Sequence, residues 1–179
     1  MATKCKVPFQ PAVGGTSVIA ILSGEWLNNS VQGMQMFGLH QIKFMDFEGN
    51  INNTPLSPII PVVKISISKP ANTPVELYAL IDTGATHSVI DSTLADALNL
   101  RVIENTSIRS VTDTISTTIR EAAIHIGSSG TIFAPFIASP LIQSNEHKTY
   151  TVILGMDILS QGLVILNFKE NLFSLDLSR

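Results

Sequence analysis

Residues 82–85 read Asp-Thr-Gly-Ala, directly after the apolar run "LYALI" at 77–81. A carboxylate at the end of an apolar strand is costly unless something compensates for its burial. A tight turn suits it. Gly84 lets the backbone approach a neighbouring group closely, and the short Thr83 side chain can hydrogen-bond across an interface. Two such carboxylates facing each other cannot both ionise comfortably, so they share a proton and serve together as an acid and a base. That pair can activate a water and protonate a carbonyl oxygen, which is hydrolysis without a metal or a covalent intermediate. Taken as a tripeptide, Asp-Thr-Gly is equally ordinary turn chemistry, an aspartate accepting hydrogen bonds from nearby amides.

The chain has seven aspartates, at 46, 82, 91, 96, 113, 157 and 176, and only Asp82 stands in this motif. Asp157, in "GMD", reads as an acid in the first turn of a short helix, favoured there by the helix dipole. Paired-carboxylate chemistry therefore requires a second copy of the chain, in a symmetric homodimer. Other constellations carry less. His87 and Ser88 are adjacent, and adjacent strand residues point to opposite faces, which is a poor start for a nucleophile and its base. The histidines at 40, 87, 125 and 147 show no metal-ligand spacing. "GSSG" (127–130) lacks the lysine and following helix of a phosphate loop and reads as a hairpin turn. Trp26 reads as a packing residue, and the single Cys5 excludes an intramolecular disulfide and a cysteine-rich metal site.

The elements that must position Asp82 are short. "VVKISIS" (62–68) alternates Val63, Ile65 and Ile67 against more polar neighbours, the pattern of a half-buried strand. "KPANTP" turns the chain into "VELYALI" (75–81), a second strand antiparallel to the first. "DSTLADALNL" (91–100) spaces Leu94, Ala97 and Leu98 at helical intervals, with Asp91 or Ser92 as N-cap. Residues 100–111 and 114–127 form a long hairpin with a polar tip, and "TIFAPFIAS" (131–139) follows the "GSSG" turn. "TVILG" (151–155) reads as a buried strand, "MDILSQG" (156–162) as a helical turn or two closed by Gly162, and "LVILNF" and "LFSLDL" as final strands. Many short strands with about two short helices predict an all-β barrel or sandwich-like domain.

Composition agrees with one folded domain plus an extension. Of the 179 residues 45% are hydrophobic and 14% charged, enough to fill a core. A net charge of −3 and a pI near 5.7 leave no basic footprint, so neither nucleic acid nor an anionic membrane is an expected partner. The longest N-terminal apolar run, "VIAIL" (18–22), is far short of a membrane span and lacks a signal-peptide layout. A soluble chain, cytoplasmic or a piece of a polyprotein, is the expectation. Residues 1–57 carry no strong motif. They read as an N-terminal extension or small β-rich region, as a pro-segment, a cover or a second small domain, with "NINNTPLSP" (50–58) as a linker.

"ALIDTGATHSVI" (79–90) followed by "VILGMDILSQGLVILNF" (152–168) resembles the retropepsins, the single-lobe aspartic proteases of retroviruses and their cellular and bacterial relatives. The similarity covers roughly residues 60 to 179. It implies a closed β-barrel lobe, residues 58–179, that hydrolyses peptide bonds as a homodimer without a cofactor. Asp82 corresponds to the catalytic aspartate. Thr83 would buttress the dyad by hydrogen bonds to the partner chain, gripping the carbonyl that Ile81 offers there, with Gly84 beside it. Gly155 would bring the chain close beneath the active-site loop, and Ala85 would touch substrate through its backbone.

Three departures stand out. The expected flap, "RSVTDTISTT" (109–118), has no glycine, Met156 replaces the arginine frequent after the second-motif glycine, and the N-terminal region lies outside the resemblance. "LFSLDL" is a candidate subunit-interface strand or an ordinary edge strand. The rival readings are a catalytically silent dimerisation or peptide-binding module, and a latent protease that is monomeric until driven to pair.

Overall fold

A computed structural model of the chain describes residues 39–55, 59–109, 114–127, 130–141 and 150–177. Cys5 and Trp26, the hairpin tip at 110–113, the middle of the "GSSG" turn and most of "PLIQSNEHKTY" lie outside the described residues.

Twelve strands and two short helices are described. The principal sheet begins with β4 (Ile60–Ser68) and β5 (Val75–Ile81), antiparallel as their alternation predicts. Val63, Ile65 and Ile67 point into the core, while Lys64 between them is exposed and pairs across the strands with Glu76. The long hairpin is β7 (Arg101–Arg109) with β8 (Thr114–His125), and β9 (Thr131–Ser139) pairs with β8 over eight residues. Two three-residue strands complete the scaffold around the motif. They are β6 (Val89–Asp91) and β10 (Val152–Leu154). The hydrogen-bonded order runs β4-β5-β10-β6-β9-β8, and β8 pairs back onto β4. These six strands form a ring that holds Ile65, Ile67, Ile90, Ile124, Phe136 and Leu154 fully buried. Burial of each such side chain contributes about 1.5–3 kcal/mol.

The helix α1 (Ser92–Ala97) starts where Asp91 caps it. One carboxylate oxygen accepts from Thr93 N at 3.0 Å, and the other takes Leu141 N at 3.1 Å. Asp91 is buried, and these amides are what make its burial tolerable. The chain leaves the helix through Asn99 at φ +50°, a left-handed conformation that asparagine tolerates.

Part of the N-terminal region belongs to this architecture. The strands β1 (His40–Gln41), β2 (Lys43–Met45) and β3 (Ile51–Asn52) precede β4, and β2 pairs with β4 directly. Ile42 and Phe44 are fully buried, so residues 39–55 share a core with the region that follows. Ile51–Asn52 lies inside the stretch expected to be a linker. It is a strand because Asp46 folds the chain back on itself, accepting Glu48 N and Asn50 N on one oxygen. Asn50 Nδ2 donates to the other oxygen, which with those amides holds the Asp46 carboxyl below its ordinary range.

A second sheet of three strands has the order β1-β12-β11, with β11 (Leu163–Asn167) and β12 (Leu172–Asp176). This corrects the edge-strand reading of "LFSLDL". Residues 172–176 form the central strand, bonded to β11 along its whole length on one side. On the other side it meets His40 and Gln41, and Ile42 N donates to Phe173 O. A strand with neighbours on both sides is not an edge strand. The two sheets meet at a phenylalanine cluster, in which Phe173 stands edge-on to Phe44 at 4.7 Å and to Phe168 at 5.2 Å between ring centroids.

Candidate active site

β5 delivers Ile81, buried and paired in parallel register with Leu154 of β10. The next residue leaves the strand, and Asp82 N still donates to Leu154 O at 3.1 Å. The loop then closes on itself. Gly84 N donates to Asp82 Oδ1 at 2.9 Å, and Ala85 N to Asp82 O at 3.2 Å. One carboxylate oxygen is thereby fixed, while nothing among the described residues bonds Oδ2. Asp82 is half-buried, Thr83 and Gly84 are exposed, and Ala85 is partly covered. The compensation for an acid at the end of an apolar strand is therefore the Gly84 amide of its own turn, together with access to solvent.

The second motif holds this loop from below. Gly155 sits against it so closely that a Cβ would come within 2.6 Å of His87 C, 2.7 Å of His87 O and 2.9 Å of Ala85 O. All three are backbone atoms that cannot swing away. Its φ of −93° is ordinary, so the glycine is required by space and not by conformation. Immediately after it the helix α2 (Met156–Leu159) begins, and its first amides are donated to the loop. Met156 N reaches Ala85 O at 2.8 Å and Asp157 N reaches Thr86 O at 3.2 Å. Unpaired N–H groups at a helix start need partners, and here the Asp82 loop supplies the carbonyls.

Two further residues lock the arrangement. Asp157 Oδ1 accepts the Ser88 hydroxyl at 2.6 Å, and Oδ2 accepts Ser88 N at 2.9 Å. The Ser88 oxygen accepts Gly155 N at 2.9 Å, and Asp157 Oδ1 also takes Ile158 N. Ser88 is fully buried while its neighbour His87 is exposed, and both stand in the loop before β6, outside the strand in which alternation would part them. Asp157 is thus more than a dipole-favoured helix acid, since it ties the loop to α2. The two residues are 69 apart, and no local pattern announces a contact at that distance.

Of the residues picked out in the sequence, Asp82, Thr83, Gly84 and Ala85 lie in one turn, Ile81 ends the strand that leads into it, and Gly155 packs beneath it. Beside the Ser88–Asp157 clasp opens a cavity of about 470 Å³, between His87, Ser88 and Asp157 on one side and Thr106, Ile108, Ile119 and Ile137 of the β7–β8–β9 sheet on the other. No helix among the described residues is long and apolar enough to cross a membrane.

No curated protein matches the chain. Among solved structures, the chain is similar to the EIAV protease in complex with the inhibitor HBY-793. The identity is 25% and the TM-score 0.44, covering 59% of this chain and 90% of that one. It is also similar to the protease of simian foamy virus (mac), at 16% identity and a TM-score of 0.39, covering 54% of this chain and 88% of that one. A sequence profile matches residues 71–161, which take in both the Asp82 turn and the Gly155 element and span just over half of the chain. The chain belongs to the family that this profile defines, "gag-polyprotein putative aspartyl protease", a family of retropepsin-like aspartic proteases.

Proposed function

We propose that the protein is an aspartic endopeptidase in which two identical chains each contribute Asp82 to one catalytic dyad. The observation that carries this reading is the division of labour on the Asp82 carboxylate. Its Oδ1 is held by Gly84 N at 2.9 Å, while nothing among the described residues bonds its Oδ2. An oxygen positioned but unspent is what a shared water or a second carboxylate needs. Membership of the aspartyl protease family supports the same assignment.

In the proposed reaction one carboxylate is ionised and its partner protonated. The ionised one takes a proton from a water lying between them, and that water attacks the scissile carbonyl carbon. The protonated one passes its proton to the carbonyl oxygen, giving a neutral tetrahedral diol. As the C–N bond breaks, the carboxyl that gained the water's proton delivers it to the leaving nitrogen. A diol proton returns to the other carboxylate, so the dyad ends as it began. No metal or cofactor takes part. Ile81 and Thr83 of each chain would brace the pair through the Ile81 carbonyl and the Thr83 hydroxyl, and Ala85 would meet substrate through its backbone. The polypeptide would lie extended between the Asp82 loops and the β7–β8 hairpins. The family's description supports reading the chain as part of a polyprotein.

The experiment compares wild type with Asp82→Asn on an unfolded polypeptide between acidic and neutral pH. Cleavage by wild type and none by the folded variant supports the reading. Equal cleavage by both overturns it. A stable dimer that cleaves nothing favours the alternative, a catalytically silent peptide-binding module.

A further inference from the structure

Among the described residues four strands stand at sheet edges, β3 and β7 in the principal sheet and β1 and β11 in the second. An unpaired edge is a template for another strand, and proteins blunt such edges with charge, proline or short length. Three of the four are blunted in this way. β1 and β3 have two residues each, and β7 carries Arg101, Glu104 and Arg109. β11 has five residues, Leu-Val-Ile-Leu-Asn, without a charge or a proline. Phe168, which follows at once, is half-exposed.

This edge is tied to the Asp82 loop. Only Ser160, Gln161 and Gly162 separate β11 from α2, whose first amides bond that loop. Gly162 is packed down on β12, where a Cβ would run into the Asp176 carbonyl oxygen. The sheet face that carries Val164, Phe173 and Leu175 belongs to the core that also holds Leu154 and Ile158. Leu154 O takes the Asp82 amide, so the Asp82 loop lies on that side of the sheet.

We infer that the outer edge of β11 pairs with the same edge of a second copy, joining two three-stranded sheets into one of six. The inference rests on the protease reading above and names the contact that brings the two Asp82 residues together. Two strands related by a two-fold axis through their shared ladder run antiparallel, and the axis stands perpendicular to the sheet. Both cores then lie on the same side of the joined sheet, and their Asp82 loops can meet across the axis. Stacking the opposite faces, which carry Ile165 and Ser174, would put the cores on opposite sides of a double layer and hold the loops apart. The dyad therefore selects the edge over the face, and a second copy over an unrelated strand. Pairing along all five residues centres on Ile165, which stands opposite the partner's Ile165.

The test follows the full chain by sedimentation and by cleavage of an unfolded polypeptide. Ile165→Lys and Ile165→Glu each set like charges against one another across the axis. Each is expected to weaken the dimer about a hundredfold and to lose cleavage with it. Ile165 is half-buried and faces away from the core, so both variants are expected to keep the wild-type circular dichroism. Mixed in equal amounts they set an ammonium against a carboxylate, and dimer and cleavage are expected to return to within about tenfold of wild type. A misfolded variant cannot be rescued in this way. Either variant dimerising as tightly as wild type, or a mixture that stays monomeric, overturns the pairing and leaves the protease reading standing. A dimer that responds as expected but cleaves nothing upholds the pairing and overturns the protease reading. A wild type that is monomeric at every concentration overturns the pairing, and protection of all β11 amides from exchange in that monomer would identify a segment of the same chain as the occupant.

Discussion

The carboxylate of Asp157 holds Ser88 at both its hydroxyl and its amide, at 2.6 and 2.9 Å, across 69 residues of sequence. Through this clasp the helix that follows Gly155 is bonded to the loop that carries Asp82. The two halves of the family's signature are joined by hydrogen bonds between side chain and backbone. The position of the Asp82 turn therefore depends on residues outside the Asp-Thr-Gly motif.

Loss of the clasp is expected to be costly and non-additive. Asp157→Ala leaves the buried Ser88 hydroxyl and amide without their acceptor, at about 2–4 kcal/mol of stability for charge-assisted bonds. Ser88→Ala removes the hydroxyl that Gly155 N needs and should cost about 1–2 kcal/mol. Because the two act as one unit, the double variant should fall short of the sum by about 1 kcal/mol or more, measured by urea unfolding. Full additivity would show that the contact contributes nothing to the fold.

Gly155→Ala tests the close approach of the two motifs. A methyl group there meets backbone at 2.6–2.9 Å, so either the Asp82 loop or α2 must shift. The expected result is about 1–3 kcal/mol of destabilisation with a loss of peptidase activity larger than the stability change explains. Unaltered activity and melting temperature would mean that the loop yields freely.

Leu175→Ala separates a structural last strand from an interface strand. Leu175 is fully buried in the strand between β1 and β11, so truncation should cost about 2–5 kcal/mol within each chain. Unfolding would then shift equally at all protein concentrations. A shift that vanishes at high concentration would instead make residues 172–176 a contact between subunits.

Much of this was readable from residue types because the determinants are local. The alternation of Val63, Ile65 and Ile67 sets β4, and Asp91 caps α1 with a side chain that reaches only two residues ahead. The Asp82 turn is likewise built from its own amides. What escaped is non-local. The Ser88–Asp157 clasp joins residues from two separate motifs, each of which has an ordinary local explanation. Residues 172–176 have the composition of an edge strand, and only the return of His40 and Gln41 from far upstream makes them central. Ile51–Asn52 resembles a linker because the asparagines around it obscure a strand that Asp46 creates by turning the chain. The six-strand ring also depends on a register between β4 and β8 that neither strand's pattern specifies alone.

The central claim is that one active site needs Asp82 from two chains, and a mixing experiment tests it most directly. Wild type is held at a fixed concentration, folded Asp82→Asn is added, and peptidase activity is followed after the subunits have exchanged. The account predicts a fall to about half at equal concentrations and to about one third at a twofold excess of variant, because mixed dimers carry only one competent carboxylate. Activity that stays constant at every ratio would contradict it, since each chain would then carry a complete site of its own.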